Sequence, residues 1–243
     1  MRHWYIGCSG FYYKEWKGLF YPKALPQKEW FQFYAQHFNA LELNNSFYRF
    51  PELSNLQHWH DDSPKDFRFA VKVPREITHD KKFTDTQDLL NEFYNVLQNG
   101  LEEKLGPVLF QLPPSFDYTE ERLKLLITQL DTTFTNVIEF RNISWWRDDV
   151  IETFRKKGIT FCSVSYPGLI DNIIVNTPHP YYRFHGVPKL HNSPYEYGFL
   201  KNVVDAIETV QEVKAAYLFF NNTMSGAALE NAKTVQQLTN HIM

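Results

Sequence analysis

Two cysteines in 243 residues, Cys8 and Cys162, are too few for a disulfide framework. A chain of this length buries most of its apolar surface without such staples. The opening stretch MRHWYIGC has no apolar run ahead of its cysteine, so neither a secretory leader nor a lipoprotein signal is expected, and a reduced, cytoplasmic setting is. No segment approaches the roughly 18 consecutive apolar residues of a membrane span, so no membrane partner is expected. A large charge of one sign is also missing: a net charge of −3 gives no global attraction for nucleic acid and leaves only a local basic cleft to supply one. There is no GxGxxG and no P-loop lysine. Repeats, low-complexity tracts and composition shifts are absent, so one domain over residues 1–243 is the simplest reading. Aromatic residues, by contrast, make up 17% of the chain and crowd its first fifty positions, which fits a thick core or stacking surfaces for rings and sugars.

Short runs rich in Val, Ile, Leu and Phe alternate with longer runs of helical period, the pattern of βαβ units on a parallel sheet. Eight strands are predicted, at 3–7, 40–44, 67–72, 107–112, 136–140, 159–164, 181–185 and 216–221. Helical stripes fill most of the gaps. Examples are Trp30, Phe31, Tyr34 and Phe38, then Val150, Ile151 and Phe154 ahead of a stop at Gly158. The connection SYPGLIDNIIVNTPHP at 165–180 has no such stripe, so a regular helix between strands six and seven is expected to be missing. Eight strands with helical crossovers point to an α/β fold, a single (β/α)8 TIM-type barrel.

The residue parity at the strand ends tests that reading. In NVIEFRNISWW, at 136–146, Glu139 and Arg141 share one face of a strand whose other face carries Ile138 and Phe140. Glu42 with Asn44, Lys72, Gln111, Arg183 with His185, and Asn221 take the same parity on other strands. In a closed barrel the apolar parity meets the helices and the polar parity points inward at the C-terminal mouth, where such folds build their sites. A doubly wound sheet would concentrate polar strand ends beside one switch point instead.

The segments YKEWKGLFYPKALPQKEWFQFYAQHFNALELNNSFYRFP, FAVKVPREITH, FQLPPSF, EFRNISWW, YYRFHG and FNNTMSGAALENA resemble those of the YecE-like proteins, or domain of unknown function 72. The resemblance runs over nearly the whole chain. It implies a TIM barrel and no established reaction. It also implies an aspartate after strand six, where this chain reads SVSYPGL and places Ser165.

Taken by their chemistry, Glu42 and Glu139 stand against Lys72, Arg141 and Arg183, a mouth about one charge positive that favours an anionic ligand. The leading reading is an enzyme acting on a polar or anionic small molecule, a sugar or phosphate ester. Glu139 or Glu42 would serve as general acid or base, with Lys72 and the arginines holding developing negative charge, and His185 is a further catalytic candidate. A Schiff base at Lys72 is a further option, and so is a structural ion-pair lattice that merely closes the barrel top. If Glu139 is a functional acid, Glu139→Gln is expected to change stability by about 1 kcal/mol or less. Asn44, Tyr48, Gln111, Trp146 and Asn221 are candidate substrate contacts, as are Thr223, Ser225 and Gly226 ahead of an Ala-rich helix whose free N–H groups could meet a phosphate. That last junction reads equally well as a capped helix. Tyr12, Tyr13, Lys14 and Trp16 could rim the site or lock a loop. His58 and His60 lie two apart on a predicted helix and point away from each other, and the cations of the mouth would repel a metal ion, so no metal and no cofactor is expected. Two other function classes stay open: nucleic-acid processing by phosphate-contacting Arg and Lys with stacking aromatics, and noncatalytic binding of a small ligand.

Overall fold

A computed structural model describes residues 2–240. Nine strands form one all-parallel sheet: β1 (His3–Ser9), β2 (Ala40–Leu43), β3 (Arg68–Lys72), β4 (Leu105–Gln111), β5 (Asn136–Glu139), β6 (Thr160–Phe161), β7 (Ser163–Ser165), β8 (Tyr181–Phe184) and β9 (Ala215–Phe220). Their order is β6-β5-β4-β3-β2-β1-β9-β8-β7. Because β6 and β7 are separated by Cys162 alone, the chain itself joins the two ends of that order, and the sheet is a TIM-like α/β barrel.

Strand six of the sequence reading is therefore two pieces. Thr160 and Phe161 pair with β5, and Cys162 N donates to Ile138 O at 2.9 Å before Ser163–Ser165 pair with β8. The reason lies in the loop that follows. The next stretch of chain lies against the outside of this strand and takes over its free groups: Asn176 accepts from Phe161 N at 3.0 Å and donates to Ile159 O at 2.8 Å, and Ile174 N donates to Ser163 Oγ at 2.8 Å. Backbone groups bonded this way need no ladder partner and no covering helix. The connection between β7 and β8 contains no helix, as its sequence indicates.

The outer layer is α1 (Trp30–Ala35), α2 (Leu53–Asp62), α3 (Gln87–Leu101), α4 (Glu120–Gln129), α5 (Asp148–Lys157), α6 (Tyr197–Glu208) and α7 (Ala227–Asn240). α5 ends where its sequence says it should, with Gly158 in the left-handed conformation at φ 69°. Alternation along the strands sorts the buried side chains into two shells. Leu41, Phe69, Val71, Val108, Phe110, Ile138, Leu218 and Phe220 face the helices. Ala40, Ala70, Leu109, Val137, Cys162, Tyr181, Tyr217 and Phe219 fill the barrel. Tyr5 stacks on Tyr217 at 4.9 Å toward the base. Above that aromatic plug the same inward parity turns ionic.

Candidate functional site

The C-terminal ends of the strands bring Glu42, Lys72, Gln111, Glu139 and Arg183 to one end of the barrel, with Arg141, His185 and Asn221 just past their strands. Arg183 is the hub. Its Nη2 donates to Glu42 Oε1 at 2.6 Å and its Nη1 to Glu139 Oε2 at 2.5 Å. Glu139 Oε1 pairs with Arg141 Nε, while Glu42 accepts from the Tyr181 hydroxyl at 2.6 Å and from Asn44 at 3.1 Å. Both glutamates are fully buried and Arg183 nearly so. Burial pushes Glu42 up, but the Arg183 charge and hydrogen bonds from Arg183, Ser9 and Tyr181 overcome it and hold the carboxyl below its usual range. Burial opposes ionisation of Glu139 as well, and Arg141, Arg183 and His185 together hold it well below 4.5. Both acids are carboxylates in the folded protein.

His185 sits between Arg141, whose Nη2 is 3.0 Å from Nε2, and the Asn221 side-chain amide, 2.9 Å from Nδ1. Burial, then Arg141 and Arg183, pull its proton affinity down to about 3. The ring is neutral at physiological pH. The Arg141 guanidinium also lies over the Tyr166 ring at 3.8 Å, which fixes its plane.

Lys72 is differently placed. Its Nζ donates to Gln111 Oε1 at 2.9 Å and stands 3.8 Å from the centre of the Phe47 ring. The Gln111 amide is oriented by its own Nε2, which donates to Leu112 O at 2.9 Å. Among the described residues Lys72 forms no ion pair with a carboxylate; the pairs of the mouth all go to Arg141, Arg183 and His185. Burial, then Arg183, and more weakly Arg141, lower the amine to about 7 against the opposing pull of Glu139 and Glu42. After β3 a π-helical turn, Glu76–Asp80, carries His79 to within 3.5 Å of Gln111 and edge-on to Phe47 at 4.9 Å. Burial and Lys72 lower His79 to about 4.

These groups open onto a cleft of about 380 Å³ lined by Asn44, Tyr48, Lys72, Gln111, Arg141, Arg183, His185 and Asn221, together with Ser9, Tyr13, Pro114, Tyr166, Leu190 and His191. Neither glutamate lines it. A second hollow of about 480 Å³ adjoins it, shares Ser9, Tyr13, Asn44 and Tyr48, and is walled by Phe11, Tyr12 and Trp59. Tyr48, between the two, is 83% exposed.

Other expected contacts lie elsewhere. Trp146 packs edge-on against Phe161 at 5.3 Å and is outside the cleft lining. Thr223 O accepts the buried Trp16 indole N–H at 3.0 Å, Ser225 bonds Asn192, and a side chain on Gly226, at φ +74°, would strike Leu19. The loop after β9 is thus tied to the loop after β1 and none of its three candidate residues lines the cleft, which fits a closing role better than a phosphate seat. Trp16 locks the loop, whereas Tyr13 faces the cleft. His60 bonds Asp61 and Glu103 near the surface of α2, and His58 pairs with Asp62. Cys8 is buried on the outer side of the barrel and burial pushes its thiol far up, so it packs as a small apolar group. Tyr181 and Tyr166 were not among the sequence candidates. Both could have been found by parity: Tyr181 shares the inward parity of Arg183, and Tyr166, one residue past β7, continues that of Cys162 and Val164.

An α/β barrel whose mouth holds a buried Glu–Arg lattice and a lysine without a carboxylate defines the class of protein by its architecture. The chain belongs to the family described as "Protein of unknown function DUF72", whose sequence model matches residues 5–242. It is 26% identical to the UPF0759 protein YunF of Bacillus subtilis over an alignment of 267 residues that takes in 96% of this chain and 94% of YunF. It is 34% identical to the UPF0759 protein YecE of Escherichia coli over 83 residues, which is 34% of this chain and 30% of YecE. The crystal structure of a DUF72 family protein from Thermotoga maritima matches with a TM-score of 0.88 at 29% identity, covering 98% of this chain and 100% of that one.

Proposed function

We propose that the barrel mouth binds a small molecule carrying an anionic group, and that the protein is an enzyme acting on it, with sugar and phosphate esters as the substrate class. The observation that carries this reading is the segregation of charge. Lys72, Arg141, Arg183 and His185 line the cleft, while Glu139 lies behind it and Glu42, fully buried, borders only the adjoining hollow. A ligand entering the cleft therefore meets N–H donors first, and an anion is the species they attract. The aromatic hollow beside it suits the rest of the molecule, a ring or a sugar face.

The roles differ from those expected of the two glutamates. Arg183 stands between Glu42 and Glu139 with one nitrogen on each, so the space a glycosidic bond would occupy between paired carboxylates holds a guanidinium. Two ionised, fully paired carboxylates are poor proton donors at neutral pH. Glu42 and Glu139 support this reading as counterions that hold Arg183 and Arg141 in place. The group poised to exchange a proton near pH 7 is Lys72. A nucleic-acid surface is less well supported, because several of the cations near the mouth are already paired: Arg75 with Asp80, Lys81 with Glu76, Arg122 with Asp117 and Arg147 with Asp149.

Titration calorimetry with sulfate, whose charge does not change near neutrality, tests the reading. Binding that weakens as salt rises is expected. Stoichiometric binding of zinc or magnesium with no binding of sulfate would overturn it.

A further inference from the structure

We propose that Lys72 is a nucleophile that condenses with the carbonyl group of a small anionic aldehyde or 2-oxo acid held in the mouth. This rests on the anion-binding reading above and adds to it the class of bond the protein makes.

The placement of the amine is the ground for it. A lysine whose task is to neutralise a buried carboxylate sits in an ion pair, and Arg183 and Arg141 already fill that task for both glutamates of this mouth. Lys72 instead lies on the wall of the cleft, bonded to a neutral amide oxygen and standing over a phenyl ring. The groups that act on its charge are Arg183 and Arg141, which oppose protonation, and Glu139 and Glu42, which favour it from behind the arginines. Gln111 is neutral, the Phe47 ring face favours the ammonium form modestly, and His79, itself kept neutral, is close by. An amine desolvated beside two fixed cations keeps a lone pair free at neutral pH, the condition for attack on carbonyl carbon. Gln111 Oε1 accepts a hydrogen bond from the amine in either ionisation state, so the contact orients the nitrogen without consuming its lone pair.

The step balances without an oxidant or reductant. The Lys72 lone pair forms a C–N bond to the carbonyl carbon, and the C=O π pair moves to oxygen, which takes up a proton. The nitrogen loses one proton to give a neutral carbinolamine; a second proton on the carbinolamine oxygen lets it leave as water, the C–O bond breaking as the nitrogen lone pair forms C=N, and the resulting iminium gives up its last proton to solvent. Amine and carbonyl compound thus become imine and water. Arg141 and Arg183 would hold the carboxylate or phosphate of the same molecule. Arg183 Nε is buried with no hydrogen-bond partner in the protein, a donor still to be satisfied.

The test is reductive labelling with glyoxylate and sodium cyanoborohydride at neutral pH, followed by peptide mapping. Glyoxylate is an anionic aldehyde small enough to reach any accessible lysine, so selectivity is the readout. Lys72 is expected to take up the carboxymethyl group at least about tenfold faster than the exposed Lys65, Lys124 and Lys157. Sulfate is expected to slow labelling at Lys72 and leave the exposed lysines unchanged. Labelling of Lys72 no faster than of those lysines would overturn the inference, and if sulfate still binds, the anion-binding reading survives it. Fast labelling that sulfate neither slows nor competes with would keep the nucleophile and remove the anion site. Lys72→Arg is expected to remove the fast-labelled position; a fast phase that persists in that variant would contradict the assignment.

Discussion

The floor and the side wall of the barrel mouth carry the same kinds of residue and treat them in opposite ways. On the floor, Arg183 is nearly wholly buried and each of its terminal nitrogens has a carboxylate. On the wall, Lys72 is only partly covered and has an amide. Buried charge is tolerated on the floor because every ion there has its counterion at hydrogen-bond distance. The wall has no such compensation, so its amine loses proton affinity instead. The difference separates what holds the mouth together from what is left to meet a ligand.

The floor should break hardest. Arg183→Met leaves Glu42 without a cation and Glu139 with Arg141 alone, and a loss of about 3–5 kcal/mol is expected by chemical denaturation, enough to unfold a marginal domain. Glu139→Gln comes next. With Arg183 and Arg141 both paired to it and no exposure, neutralising it leaves positive charge uncompensated, and about 3 kcal/mol is expected in place of the 1 kcal/mol or less that a solvated functional acid would show. A small change would return Glu139 to a functional role.

Acid should loosen the same floor. Glu42 and Glu139 have folded values below 4.5, so their contribution is fully present above that pH and is lost as pH falls through the lower folded values. His185 acts over a higher window. Its folded value of about 3 lies below the ordinary 6.5, so the unfolded chain binds more protons between the two and stability falls as pH drops from 6.5. Melting curves should show the decline already between pH 6.5 and 4.5, where His79, lowered to about 4, acts in the same direction, and His185→Gln should reduce that part without removing it.

The wall should respond through binding. Sulfate affinity is expected to fall as pH rises through about 7, where Lys72 loses its proton, and Lys72→Arg should bind sulfate with little dependence over that range. The smallest effect is expected at Tyr48. It is 83% exposed, so Tyr48→Ala should alter stability by no more than about 0.5 kcal/mol and weaken only ligands that reach the aromatic hollow.

The barrel was legible because strand parity is a rigid code. Once Ile138 and Phe140 face the helices, Glu139 has nowhere to point but inward, and the same holds for Lys72 and Arg183. Parity says nothing of depth or pairing, which is why the two glutamates read as catalytic acids before Arg183 was seen between them. Loop candidates fared differently for the same reason. Trp146, Thr223, Ser225 and Gly226 follow strand ends, where direction depends on tertiary contacts such as the Trp16 indole on Thr223 and not on alternation. The split of strand six at Cys162 was hidden as well, since it comes from Asn176 and Ile174 reaching back from distant positions.

The contrast between floor and wall comes down to one titration. Side-chain NMR of lysine-labelled protein, with Lys72→Arg to assign the signal, follows each amine separately. A single lysine titrating near 7, absent from the variant, is the expected result. All lysines titrating near 10.5 would show that Lys72 is compensated like the floor beneath it, and would contradict the distinction on which its proposed chemistry stands.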